Sequence, residues 1–140
     1  MKQYEFIDHT ADIIARAHGA TLPDAFASAA RAMFDVITGG AEIGTDRRFE
    51  IKIESIDREG LLVGFLSELI VIHETENVVL SEFEVELFDS TRLRAVSRGE
   101  SFDPHRHGDG TPVKGISYHM IEITEDSNDR SWTVQVLFDI

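Results

Sequence analysis

Glu82-Phe83-Glu84-Val85-Glu86-Leu87, followed by Asp89-Ser90-Thr91 and then Arg92-Leu93-Arg94, is the stretch on which the fold turns. Phe83, Val85 and Leu87 alternate with three glutamates, the period-two pattern of a strand with one wet face. The next run, Arg92 to Ser101, carries Arg92, Arg94 and Arg98. Opposite charges on successive strands predict a hairpin through Asp89-Ser90-Thr91 with cross-strand pairs, hence an antiparallel sheet.

Upstream, Phe49, Ile51 and Ile53 alternate with Glu50, Lys52 and Glu54, another strand with one wet face. Two helices flank it. The first opens at Thr21-Leu22-Pro23-Asp24, where Thr21 can cap and Pro23 is tolerated in the first turn. Leu22, Phe26, Ala29, Met33 and Val36 form its apolar stripe, and Thr38-Gly39-Gly40 ends it. The second is capped by Asp57 and shows a broad apolar surface from Leu61, Leu62, Phe65, Leu66, Leu69 and Ile70, which requires cover from a sheet or from the first helix. His73, near its C-terminal end, reads as a partner of the helix dipole.

Downstream, the strand running from Val113 to Ile123 has Ile116, Tyr118 and Met120 on one face and His119, Ile121 and Ile123 on the other. With both faces partly apolar, it is expected to be a central strand. In the last strand Trp132, Val134, Val136 and Phe138 point inward, which places Asp139 on the opposite face. Near the N-terminus, Tyr4 to Ile7 and Ile13 to Ala17 read as short strands. Helix and strand do not alternate as in a parallel sheet, so the class is α+β, two helices packed against mostly antiparallel sheets. At 140 residues, the length predicts a single domain over 1–140.

The formal net charge is -13. Nucleic-acid binding draws its affinity from Lys and Arg on phosphates, so this balance predicts weak direct binding at most; Arg92, Arg94, Arg98 and Lys114 are the best candidate strip. Acidity of this size suits cations or a basic protein partner, and also serves solubility. There is no cysteine, which removes disulfides, thiolate metal sites and thiol nucleophiles together. No apolar run approaches the roughly 18 residues of a membrane span, and Met1-Lys2-Gln3-Tyr4 has no signal-peptide character. The expectation is an intracellular protein without membrane contact.

Chemistry concentrates in Asp8-His9-Thr10-Ala11-Asp12-Ile13, which packs two acids, an imidazole and a hydroxyl between two apolar runs. Asp8 and Thr10 also suit a hairpin turn, where they satisfy backbone groups. The sequence ends Leu137-Phe138-Asp139-Ile140, with an acid directly before the last residue. Should the two ends meet, carboxylates converge. The loop from Phe102 to Pro112 holds Asp103, His105, His107 and Asp109, and His-x-His beside acids is a weak signal for zinc, copper or nickel. Lys114 and His119 are further polar groups able to support a site.

Four blocks resemble the archease family: His9-Thr10-Ala11-Asp12-Ile13; Ala32-Met33-Phe34-Asp35-Val36; Phe102-Asp103-Pro104 leading into Val113-Lys114-Gly115-Ile116-Ser117-Tyr118-His119; and Phe138-Asp139-Ile140. They span nearly the whole chain in order. The resemblance implies a small cytoplasmic protein without a reaction of its own. Its implied role is to assist an RtcB-type RNA ligase in tRNA splicing and RNA repair, promoting metal-dependent guanylylation and multiple turnover. It carries the family's metal site onto Asp12, Asp139 and Ile140, its lysine onto Lys114, and makes His9 and His119 candidates for supporting roles. Ile14 stands where glycine is frequent, Gly115 where alanine is, and His105 where an acid is. Oxygen ligands alone favour a hard cation such as calcium, which takes about six to eight of them. Two rivals remain: a metal-dependent hydrolase using Asp12 and Asp139 as ligands with His9 or His119 as base, and a chaperone or adaptor for an RNA-modifying enzyme.

Overall fold

The computed structural model describes residues 3–9 and 12–140, with only the backbone of Asp8 and His9. In chain order the elements are β1 (Tyr4–His9), β2 (Asp12–Gly19), α1 (Leu22–Thr38), β3 (Arg47–Glu54), α2 (Arg58–Glu76), β4 (Val78–Asp89), β5 (Arg92–Ser101), α3 (Pro104–His107), β6 (Gly115–Glu125) and β7 (Trp132–Asp139). They form a four-stranded sheet in the order β1-β2-β7-β6 and a three-stranded sheet in the order β3-β5-β4. All described strand pairs are antiparallel.

The helix ends follow their sequence signals. Thr21 accepts from the Asp24 N–H at 3.2 Å, and Gly39 takes φ 71°, a left-handed conformation open to glycine, to close α1. Asp57 accepts from the Gly60 N–H at 2.7 Å at the start of α2. His73 does not bond the carbonyls of its own last turn. Its Nδ1–H donates to the carbonyl of Val78, 2.6 Å away at the head of β4, so it fastens the turn after the helix.

Both long helices touch both sheets. α1 packs against β2 and β7 on one side and β4 on the other, while α2 packs against β6 and against β3, β4 and β5. The helices are therefore a middle layer. This explains why the apolar residues of α2 run round so much of its circumference: Leu61, Leu62, Phe65, Leu66 and Leu69 are all fully buried. Phe26 stacks on Phe65 with ring centroids 6.4 Å apart and Phe34 on Phe83 at 6.1 Å, tying α1 to α2 and to β4. Truncating any of these rings to alanine would cost about 3–5 kcal/mol.

The predicted hairpin is β4–β5, in which Glu82 stands opposite Arg98 and Glu86 opposite Arg94. Because β5 is central, Arg94 also meets charge from the other neighbour, β3, lying 3.7 Å from Glu50, while Arg92 pairs with Asp89 of β4 at 3.1 Å. Arg92, Arg94 and Arg98 are thus interleaved with acids, and Lys114 precedes a strand of the other sheet. These four cations do not form one strip.

Two sequence expectations need correction. The loop from Phe102 to Pro112 contains a one-turn helix, α3, capped by Asp103, whose carboxylate accepts from the His105 N–H. The strand beginning at Gly115 is an edge, not a centre. Its register jumps from Ser117 opposite Leu137 to Glu122 opposite Gln135, so residues 118–121 face Val136 alone. This long bulge shifts the phase. Ile116, Ile121 and Ile123 all pack against the core, whereas Tyr118 and Met120 are 59% and 42% exposed. The mixed polarity that suggests two buried faces is one buried face interrupted by a bulge.

Candidate functional site

Asp12 opens β2 and Asp139 closes β7, and the two are register partners. Partners across an antiparallel pair point to the same side, with Cβ atoms about 4.5–5.5 Å apart. That side is the outer face, away from the helices: Ala15, Ala17, Val134, Val136 and Phe138 belong to the core cluster, while Asp12, Ile14, Arg16, Gln135, Leu137 and Asp139 have the opposite phase. Asp139 has a second partner, Gly115 on β6, and its carbonyl accepts from the Lys114 N–H at 2.7 Å. The end of β7 is thereby held between β2 and β6. Ile140 packs partly against the core, which fixes the position of whatever follows its Cα.

The sequence candidates distribute as follows. Asp12 and Asp139 come together, with Ile140 next to the second, and Lys114 adjoins them through its backbone. His9 is the register partner of Asp12, which places it in the same cross-sheet row, but its side chain and Thr10 lie outside the described residues. His119 sits on the bulge of β6, exposed, its N–H donating to Ser117 Oγ at 3.0 Å.

The donor set suits a hard cation. Asp12 is half-buried with Oδ1 out of solvent contact, Asp139 is exposed, and both are oxygen ligands. Like charges directly opposite on a sheet repel, and a cation between them removes that cost. Among the described side chains no group of three acids or histidines could hold a metal, so two aspartates would need further oxygens from the backbone, water or a partner.

The histidine loop does different work. His107 is fully buried, its Nδ1 accepts from the Asp103 N–H at 2.9 Å, and its Nε2 lies 3.1 Å from Glu100. A backbone N–H can only donate, so the proton is on Nε2 and both ring nitrogens are engaged. Glu100 also accepts two bonds from Arg106 at 3.0 Å and one from the Gly44 N–H at 2.6 Å. Arg106 foremost, then Gly44, hold its carboxyl down to about 2. This is a structural clasp, and His107 is not available to a metal.

One element that sequence reading misses lies on the same sheet face as the aspartates, four residues further along β2 and β7. Gln135 is nearly buried on the outer face. Its Oε1 accepts from Arg16 at 2.8 Å, its Nε2 donates to the Met120 carbonyl at 2.9 Å, and Arg16 lies 3.6 Å from Glu5. The row runs across all four strands and pins the bulge. Met120 there has φ 62°, a left-handed conformation that costs a residue with a long side chain about 1–2 kcal/mol. The only signal in the sequence is the odd spacing between Ile116 and Ile121.

Comparison with known proteins agrees with this fold. The model of the Archease protein family (MTH1598/TM1083) matches residues 4–140. Protein archease of Pyrococcus abyssi is 39% identical over 143 aligned residues, covering 100% of each chain. Protein archease of Methanosarcina barkeri is 38% identical, covering 99% of this chain and 97% of its own. In structure the chain is similar to Protein 1598 of Methanobacterium thermoautotrophicum, with TM-score 0.77, 33% identity and 100% of both chains covered. An archease and possible chaperone from Thermotoga maritima shares the fold with TM-score 0.64 at 20% identity, over 96% and 94% of the chains.

Proposed function

The chain belongs to the archease family, and from that premise we propose that it is a cytoplasmic accessory protein which activates an RtcB-type RNA ligase through a divalent-metal site, most naturally calcium. The observation that supports this best is the register pairing of Asp12 with Asp139 at the end of β7. Two carboxylates there, joined by a main-chain oxygen of Ile140, leave about half of a calcium shell to other oxygens. An incompletely enclosed site at a protein surface is suited to being shared across an interface. A bound divalent cation would supply charge neutralisation at phosphoryl oxygens during nucleotidyl transfer.

The chain's own residues have separable tasks in this reading. Asp12 and Asp139 hold the cation. The Lys114 N–H bond to the Asp139 carbonyl keeps the end of β7 in register, and the Lys114 ammonium reaches a phosphate or a partner carboxylate. His9 and His119 have supporting roles. No described helix is long and apolar enough to cross a membrane, and the interleaved charges of β5 give polynucleotide no basic track, so the contact with RNA runs through the ligase.

The second reading takes its cue from the Thermotoga maritima relative, a possible chaperone: here the protein would only keep its partner folded. A stand-alone hydrolase is the third. One experiment separates them. Nucleotide and phosphoester turnover is measured with the protein alone, and multiple-turnover ligation and guanylylation with ligase added, using wild type, Asp12→Ala, Asp139→Ala and Lys114→Ala. The accessory reading expects no turnover alone, stimulation of ligase by wild type and its loss in all three variants. Stimulation that survives both aspartate substitutions would sink it in favour of the chaperone, and metal-dependent turnover by the isolated protein in favour of the hydrolase.

A further inference from the structure

We propose that the Tyr118–Met120 bulge of β6 is a preorganised docking element for the partner protein, and that Gln135 is the residue that positions it. The inference rests on the accessory reading above and adds the surface through which the partner is recognised.

Three observations carry it. The bulge exposes Tyr118, His119 and Met120 on an edge strand, and Tyr and Met are enriched at the centres of protein interfaces. Its backbone is held in an unfavourable state, Met120 at φ 62°, by a nearly buried side chain that has no other evident task than to bond the Met120 carbonyl and Arg16. Strain maintained by such an anchor is characteristic of ligand clamps and recognition segments. The bulge also follows directly on Gly115 and Ser117, and Gly115 is the strand partner of Asp139. A protein seated on Tyr118 and Met120 therefore comes within reach of the Asp12 and Asp139 carboxylates.

The occupant is a protein whose surface offers an apolar depression with a basic rim. Glu122 follows the bulge on the same strand and is exposed, and the whole chain carries -13, which complements a basic rim and repels polynucleotide. Because Gln135 fixes the loop before binding, little ordering entropy is lost on contact.

The test uses the full chain and the RtcB-type ligase of the same organism. Dissociation constants are measured for wild type, Tyr118→Ala, Met120→Ala, Gln135→Glu and, as a control on another surface, Ile56→Ala, together with calcium affinity and melting temperature. Gln135→Glu keeps an acceptor for Arg16 but cannot donate to Met120, so it probes positioning and not bulk. Tyr118→Ala and Met120→Ala are expected to weaken ligase binding about tenfold or more, with calcium affinity and melting temperature unchanged. Gln135→Glu should weaken it similarly while speeding hydrogen exchange at 118–121. Ile56→Ala should do nothing. Wild-type affinity in Tyr118→Ala and Met120→Ala, with stimulation still lost in Asp12→Ala, overturns the docking element and leaves the accessory reading standing. A wild-type protein that does not bind ligase at all overturns both, and loss of tRNA binding in the bulge variants without loss of ligase binding would make this a nucleic-acid surface instead.

Discussion

Asp12 and Asp139 face one another across β2 and β7, two carboxylates in register on the outer face of a sheet. A directly opposed like-charge pair costs about 0.2–1 kcal/mol, so Asp139→Asn should raise apo stability by about 0.5 kcal/mol, a melting shift of about 2 °C for this size. The same change removes a ligand, so the stabilisation that excess calcium confers should shrink or vanish. Scanning calorimetry in chelator and in calcium checks both signs. An equal calcium-induced shift in wild type and Asp139→Asn removes Asp139 from the site.

A form of the chain ending at Ile140 presents a carboxylate there, the proposed third ligand, and a form extended beyond that residue presents an amide. One charge and one oxygen are lost while the Ile140 side chain keeps its packing on the core. Calcium affinity should fall about tenfold or more for a lost charged ligand, with melting in chelator unchanged. Titration calorimetry of the two forms decides, and equal affinities would exclude Ile140.

Lys114 is exposed, and among the described residues its hydrogen bond is that of its N–H to the Asp139 carbonyl. Lys114→Ala should therefore stay within about 0.5 kcal/mol of wild-type stability yet impair stimulation of the ligase, since a charge-assisted contact to a phosphate or carboxylate is lost. Urea unfolding and multiple-turnover ligation measure the two effects. Normal stimulation would make Lys114 incidental.

Arg94 and Arg92 are committed to Glu50 and Asp89, and Arg98 stands between Arg48 and Glu82. With a net charge of -13 around them, the isolated protein should bind tRNA with a dissociation constant of about 10 µM or weaker at physiological salt. Submicromolar binding in fluorescence anisotropy would contradict this.

The helices and the β4–β5 hairpin are legible in the sequence because local chemistry dictates them. Thr21, Asp57 and Gly39 meet the backbone at helix ends, and simple alternation sets Glu82 and Glu86 opposite Arg98 and Arg94. Asp139 is legible for the same reason, since strict period two over Val134, Val136 and Phe138 leaves its face in no doubt. The pairing of Asp12 with Asp139 is not local. It depends on which strands neighbour β7, and only the sheet order supplies that. The bulge defeats periodic reading because residues 118–121 oppose Val136 alone, so Tyr118 and Met120 keep the apparent phase of Ile116 while leaving its face. The burial of His107 is invisible for a related reason: the Glu100 carboxylate that it bonds is itself held by the Gly44 N–H, from a segment far off in sequence.

That clasp yields a pH prediction. Arg106, Gly44 and His107 all donate to Glu100, whose side chain is only 15% exposed, and its carboxyl in the folded protein is lowered to about 2. In the unfolded chain it returns to about 4.3. A carboxyl depressed by folding contributes stability that is fully present above the unfolded value and is lost as pH falls toward the folded one. Stability should therefore decline between about pH 4.3 and 2 through this group. Glu100→Gln cannot gain the charged bonds, so at pH 7 it should cost about 1–2 kcal/mol while showing a shallower decline below pH 4.3. Wild type and variant then converge in acid. Urea unfolding at pH 7, 4 and 3 measures the difference, and a gap that stays constant across those pH values would mean that the neutral hydrogen bonds, and not the carboxylate charge, hold Gly44 and α3 to β5.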